Sequence, residues 1–215
     1  MVVHVLDAVR GAERVDRVIV ATDDARIAAC VRDAGGEALM TSPDAATGTD
    51  RVAEVARRTP ADAYLNVQGD EPLMPAENVD RAVAALLDGP GRRLATLAYP
   101  LPAEAVGDPN VVKVVVARDG RALYFSRSPI PYYRQETPAY RKHLGIYAYR
   151  PETLAAVAAL PPSPLERAES LEQLRWLEAG HTIWVGEAAA DSIGVDTPGD
   201  LIEAEKRLTA KEAVS

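Results

Sequence analysis

Between Val15 and Leu87 the sequence alternates short apolar, β-branched runs with segments of helical spacing, and this alternation most constrains the fold. Val18-Ile19-Val20 centres a strand predicted over 15–21, which leaves through Thr22-Asp23-Asp24, a helix cap. Ile27, Ala28 and Val31 mark a helix over 25–34 that stops at Gly35-Gly36, as a C-terminal glycine pair should. A strand over 37–40 and a polar loop over 41–49 follow. Then come a helix capped by Thr49 and running to Arg58, a strand from Tyr64, and a helix over 75–87. Strands separated by helices in this way give a mostly parallel sheet with helices on both faces, an α/β fold. Val2, Val3, Leu6 and Val9 carry helical spacing ahead of Arg10-Gly11, so a helix is predicted at the very start.

The middle of the chain changes character. A strand over 94–99 is followed by runs over 111–116 and 121–125 that flank Arg118-Asp119-Gly120, a hairpin signal. Another strand, over 145–149, leaves Arg141-Lys142-His143, so an antiparallel insertion over about 111–150 is expected within a single domain over 1–215. Helices over 154–160 and 165–177, a last strand over 182–185 and a helix opened by Thr197-Pro198 complete the reading.

At 215 residues and 47% hydrophobic, the chain is long enough to bury one sizeable core. A formal net charge of −8, with both signs interspersed, argues against nucleic acid or an anionic membrane as partner. Cys30 is the only cysteine, which excludes an intrachain disulfide framework, and its helical setting suggests a buried structural thiol. No apolar run is long enough to span a bilayer, and a cytoplasmic protein is the expectation. His4 and His181 belong to no motif.

Two strand exits could carry chemistry. Tyr64-Leu65-Asn66-Val67-Gln68-Gly69-Asp70-Glu71-Pro72 brings an apolar run to two carboxylates, at the sheet edge where α/β proteins bind ligands. Ile193-Gly194-Val195-Asp196-Thr197-Pro198 does the same with one carboxylate. By local sequence alone the first is good turn chemistry and the second a helix cap. Together they could hold Mg²⁺, a hard cation that takes oxygen ligands and shares them with phosphates. The sequence contains no P-loop, Gly-rich dinucleotide loop or Gly-x-Ser-x-Gly elbow.

Five segments in order carry a family resemblance: Asn66-Val67-Gln68-Gly69-Asp70-Glu71-Pro72, Ala122-Leu123-Tyr124-Phe125-Ser126-Arg127, Lys142-His143-Leu144-Gly145-Ile146-Tyr147, Ser163-Pro164-Leu165-Glu166 with Leu171-Glu172-Gln173-Leu174-Arg175, and Gly194-Val195-Asp196-Thr197-Pro198. Over essentially the whole chain this resembles the 3-deoxy-manno-octulosonate (KDO) cytidylyltransferases, the CMP-KDO synthetases of lipopolysaccharide assembly. The resemblance implies a Rossmann-like sheet of the nucleotide-diphospho-sugar transferase type. It also implies transfer of CMP from CTP to the sugar acid with release of pyrophosphate. Other 2-keto sugar acids, such as a sialic acid or amino-KDO, are the nearest alternative acceptors, and a non-catalytic subunit is an alternative of a different class.

By the same resemblance Asp70 and Asp196 hold Mg²⁺ and, with Arg51, form the catalytic set. Arg51 and Gln68 contact the sugar acid, Thr49 lines the cytosine side, and His143, Tyr147, Glu172 and Gln173 hydrogen-bond the sugar. Lys113 and Arg127 lie in family-like segments without an assigned role. The family forms homodimers through its insertion, which makes 113–149 the expected interface. Its members begin with a strand and a basic glycine-containing loop around the CTP phosphates, ahead of the helix that opens this sequence. The expectation is therefore a longer natural protein or, for the 215-residue form, impaired turnover.

Overall fold

The computed structural model describes residues 1–135, 139–195 and 197–212. Helix α1 (Val2–Arg10) forms where the spacing predicts and buries Val5, Leu6 and Val9. Strand β1 (Ile19–Thr22) leads through Asp24, whose carboxylate accepts from the Arg26 N–H, into α2 (Ala25–Asp33). The glycine pair ends α2: Gly35 has φ +69°, and a methyl added at Gly36 would stand 2.6 Å from Leu6 and 2.7 Å from Val31. Strand β2 (Glu37–Met40) then pairs with β1 in parallel.

The remaining elements are α3 (Gly48–Ala56), β3 (Tyr64–Asn66), α4 (Ala76–Leu87), β4 (Leu94–Leu101), β5 (Lys113–Val116), β6 (Ala122–Ser126), β7 (Tyr140–Tyr149), α5 (Pro151–Ala158), α6 (Pro164–Glu169), α7 (Gln173–Glu178), β8 (Trp184–Glu187) and α8 (Pro198–Glu212). A six-stranded sheet runs β6-β5-β7-β4-β8, with β3 also on β7. The pair β1–β2 forms a separate sheet.

The α/β class with helices on both faces holds, and the strand directions add detail. β4 and β8 are parallel, while β7 is antiparallel to β3, β4 and β5, so those four strands share one direction and β7 opposes them. β7 is the longest strand, with β4 along one edge and β3 and β5 sharing the other. The sequence reading placed only residues 145–149 in this strand and assigned them to an insertion. The strand also takes in the charged Arg141-Lys142, where Lys142 is tethered by Asp191 and the Ser192 carbonyl, each at 2.7 Å.

Alternation along β7 assigns its two faces. Leu144, Ile146 and Ala148 pack with Val5 and Val9 of α1 and Val79, Ala82 and Leu86 of α4. Tyr147 and Tyr149 pack with Ala53 of α3, Leu154 and Val157 of α5, and Leu174 and Trp176 of α7. Each fully buried aliphatic side chain of this kind contributes about 1.5–3 kcal/mol.

Three local expectations are corrected. Helix α3 is capped by Thr47, in a capping box with Asp50, and Thr49 lies inside the helix. The predicted helix over 165–177 is two helices, because Ser170 takes a left-handed conformation (φ 53°) that ends α6. Cys30 is exposed, since α2 turns Ala28 and Val31 inward instead.

Candidate active site

The candidate site is built on a bulge in β7. Thr96 pairs with Tyr147 and Leu97 with Leu144, so Gly145 and Ile146 stand out of the ladder. Bulges of this kind re-aim side chains beside active sites. The buried Thr96 hydroxyl fills the bulge, 2.7 Å from the Ile146 carbonyl, 3.2 Å from the Leu144 carbonyl and 3.0 Å from His143 Nε2. A hydroxyl has one proton and a carbonyl can only accept, so Thr96 donates to the carbonyls and accepts from His143. His143 therefore carries its proton on Nε2, leaving Nδ1 as the acceptor. Burial lowers its pKa to about 3, which keeps the imidazole neutral.

The exit from β3 faces this bulge. A methyl added at Gly145 would lie 3.0 Å from Glu71 Oε1 and 3.6 Å from Gln68 Cγ, so the glycine makes room for both side chains. Gln68 and Asn66 also approach the start of α3, where a methyl on Gly48 would meet Asn66 Nδ2 at 3.2 Å and the Gln68 amide at 3.5 Å. Glu71 is buried and accepts from the Ser192 hydroxyl at 2.6 Å. Burial pushes its carboxyl up and the Ser192 hydrogen bond opposes the shift. The Asp70 carbonyl accepts from Val195 N–H at 2.9 Å, so the chain entering the second acidic exit is held at the first.

The third wall comes from α3 and α7. Thr49 is fully buried and donates to Glu172 at 3.0 Å, with the Tyr149 hydroxyl 3.4 Å away. Glu172 is pushed up by burial, against which Thr47, Arg175 and Thr49 act. Tyr147 packs on His143 with centroids 5.3 Å apart and meets Trp176 edge-on at 5.0 Å. Burial, then Tyr149 and Glu172, hold its phenol well above the usual range, so it remains a hydrogen-bond donor. Gln173 is buried at the start of α7.

Thr49, Gln68, His143, Tyr147 and Glu172 are thus linked on one side of β7, although they span residues 49 to 172, and Gln173 follows Glu172, buried, at the start of α7. Arg51 is not directed into this group. Its guanidinium lies against Thr41 Oγ1 at 2.9 Å, the Ser42 carbonyl at 3.3 Å and Asp23 at 3.2 Å, across the ends of β1 and β2. Asp70 stands half-buried at the β3 exit, and Asp196 lies outside the described residues. Among the described residues no group of three or more His, Cys, Asp or Glu side chains is placed to hold a metal. One or two carboxylates suffice for Mg²⁺, which keeps water and substrate phosphate as its other ligands, so the donor chemistry at Asp70 fits that ion.

Sequence reasoning missed Asn66, Thr96, Gly145, Tyr149 and Arg175 as contributors. Asn66 sits two residues before Gln68, and Tyr149 two after Tyr147, so strand period alone would have put each pair on one face. Thr96 carries no such signal, because its role depends on the bulge. Lys113 and Arg127 form a fastening outside the group. The buried Lys113 ammonium donates to the carbonyls of Asp108, Val111 and Arg127, and Arg127 Nε donates to the Glu169 carbonyl at 2.8 Å, tying the hairpin to the end of α6.

Buried polar side chains thus lie beside an acidic strand exit, at the end of an α/β sheet where such folds bind ligands. A family model described as cytidylyltransferase matches residues 1–183, and the chain belongs to that family. Among its relatives, the 3-deoxy-manno-octulosonate cytidylyltransferase of Chlorobaculum parvum is 50% identical over 194 residues, 87% of this chain and 78% of that protein. The protein of the same name from Syntrophobacter fumaroxidans is 50% identical over 223 residues, 100% of this chain and 88% of its own length. The solved structure of CMP:2-keto-3-deoxy-manno-octonic acid synthetase complexed with CTP is 45% identical, with a TM-score of 0.91 over 97% of this chain and 87% of that one.

Proposed function

We propose that the chain transfers CMP from CTP to KDO, giving CMP-KDO and pyrophosphate. The observation that carries this reading is the likeness to the CTP-complexed synthetase over 97% of the chain. The sugar acid is rich in hydroxyls, and the side chains around β7 offer matched partners: Tyr147 as donor, His143 Nδ1 and Glu172 as acceptors, Gln68 and Gln173 as both. These groups would orient the anomeric hydroxyl toward the α-phosphate and exclude water from it. Mg²⁺, held by Asp70 and Asp196, would neutralise triphosphate charge when bound. Arg51 would reach the sugar carboxylate by exchanging Asp23 for it.

The same reading places the protein in the cytoplasm, in lipopolysaccharide synthesis. Among the described residues no helix is long and apolar enough to cross a membrane. A homodimer through residues 113–149 is supported by the exposure of Leu123 on β6 and Tyr132 in the loop after it, at 59% and 88%. Pyrophosphate release from CTP, measured with KDO, amino-KDO and a sialic acid, tests the activity. KDO should give the highest kcat/KM, and absence of any preference for it would remove the assignment. Sedimentation at high concentration tests the dimer, against which a monomer would count.

A further inference from the structure

The guanidinium of Arg175 is buried at 6% exposure, and both of its terminal nitrogens face carboxylates. Nη2 donates to Glu172 Oε1, and Nη1 lies 3.6 Å from Glu166 Oε1. The other oxygen of each carboxylate is also engaged. Glu172 Oε2 accepts from Thr49 at 3.0 Å, and Glu166 Oε2 accepts from the Ser163 N–H at 3.1 Å in the capping box of α6. Among the described residues, Arg175 Nε is left buried without a partner. An arrangement chosen for stability alone would satisfy that donor; leaving it orphaned indicates that the fork is set by where the carboxylates must point.

We propose that Arg175 is a positioning residue for the sugar acid: with Thr49, it fixes the Glu172 carboxylate in the orientation that accepts hydroxyl hydrogen bonds. The inference rests on the function proposed above. Glu172 is faced by Thr47 and Thr49 from α3, Tyr147 and Tyr149 from β7, Arg175 from α7 and, through Arg175, Glu166 from α6. Arg175 is the only cation in that set, so its removal leaves a buried carboxylate with hydroxyl partners alone. Such a carboxylate protonates at higher pH and becomes a poorer acceptor.

The test compares steady-state kinetics of the whole chain and its Arg175→Met, Arg175→Lys and Glu166→Gln variants over about pH 6 to about pH 8, with calorimetric titration of KDO alongside. Arg175→Met should raise KM for KDO about 10- to 100-fold, the effect of one lost charge-assisted hydrogen bond, with KM for CTP within about twofold. The penalty should grow as pH falls. Arg175→Lys should restore much of the pH profile, since it keeps the charge, but not the full KM, since an ammonium cannot bridge two carboxylates as a fork does. Glu166→Gln should move KM for KDO in the same direction by less, and it covers the case in which Arg175→Met does not fold. Equal changes in both KM values, or an unshifted pH profile in Arg175→Met, would overturn the inference. If the unaltered chain neither binds KDO nor turns it over, the proposed function falls and this inference with it. If the unaltered chain is active and the variants match it, only the inference falls.

Discussion

His143 should make the fold measurably acid-sensitive. Its pKa is lowered from 6.5 to about 3 because the buried imidazole, bonded to Thr96 and flanked by Phe125 and Tyr147, cannot be hydrated as a cation. Above the unfolded value both states are neutral and the full stability is present. Below it the unfolded chain takes up a proton that the folded chain refuses, so stability falls as pH drops from about 6.5 toward about 3. One proton corresponds to about 1.4 kcal/mol per pH unit, which gives about 2 kcal/mol lost between pH 7 and pH 5. That is a sizeable share of the 5–15 kcal/mol typical of a domain. Urea unfolding of the unaltered protein and His143→Gln at the two pH values isolates the contribution, since glutamine can still donate to Thr96 but does not titrate. The unaltered protein should lose about 2 kcal/mol more than the variant. Equal losses, or an NMR titration of His143 with a midpoint near 6.5, would refute the reasoning.

Thr49→Val removes the donor to Glu172 from a fully buried position. Urea unfolding should show a loss of about 1–3 kcal/mol, and no measurable change would contradict the network drawn around Glu172. Gly145→Ala places a methyl 3.0 Å from Glu71 Oε1 and beside Gln68. Thermal unfolding should report a loss of about 1–3 kcal/mol from overpacking, together with a raised KM for the sugar acid; an unaffected KM would show that the bulge does not shape the site. Asp70→Asn should abolish Mg²⁺-dependent turnover with the circular dichroism spectrum unchanged, and retained activity at ordinary Mg²⁺ would end its metal role.

What was legible in the sequence followed from local periodicity. The helices over 2–10, 25–33 and 76–87 have one-sided apolar spacing and clear stops, and they formed within a residue or two of the prediction. Where the signal failed, tertiary contacts had overridden local chemistry. The break at Ser170 has neither glycine nor proline to announce it. The segment Arg141-Lys142 joined β7 because Asp191 and Ser192 were waiting for the ammonium. In the site, residue types that suit sugar recognition could be picked out, but their neighbours could not. Thr96 meets the His143 side chain from a strand 47 residues earlier, which only the fold brings about, and Arg175, although three residues from Glu172 in sequence, meets Glu166 only where α6 packs on α7.

The aromatic stack of Tyr147, Tyr149 and Trp176 has an optical consequence. Trp176 is fully buried, its indole N–H has no partner among the described residues, and it touches Tyr147 and Tyr149 edge-on. The other tryptophan, Trp184, is only partly buried, with the Arg92 guanidinium 4.7 Å above its ring. Trp176 should therefore emit at shorter wavelength than Trp184, and its emission should respond when an occupant disturbs Tyr147. A Trp184→Phe background turns this into a label-free fluorescent reporter of ligand binding beside Tyr147, positioned by the fold itself.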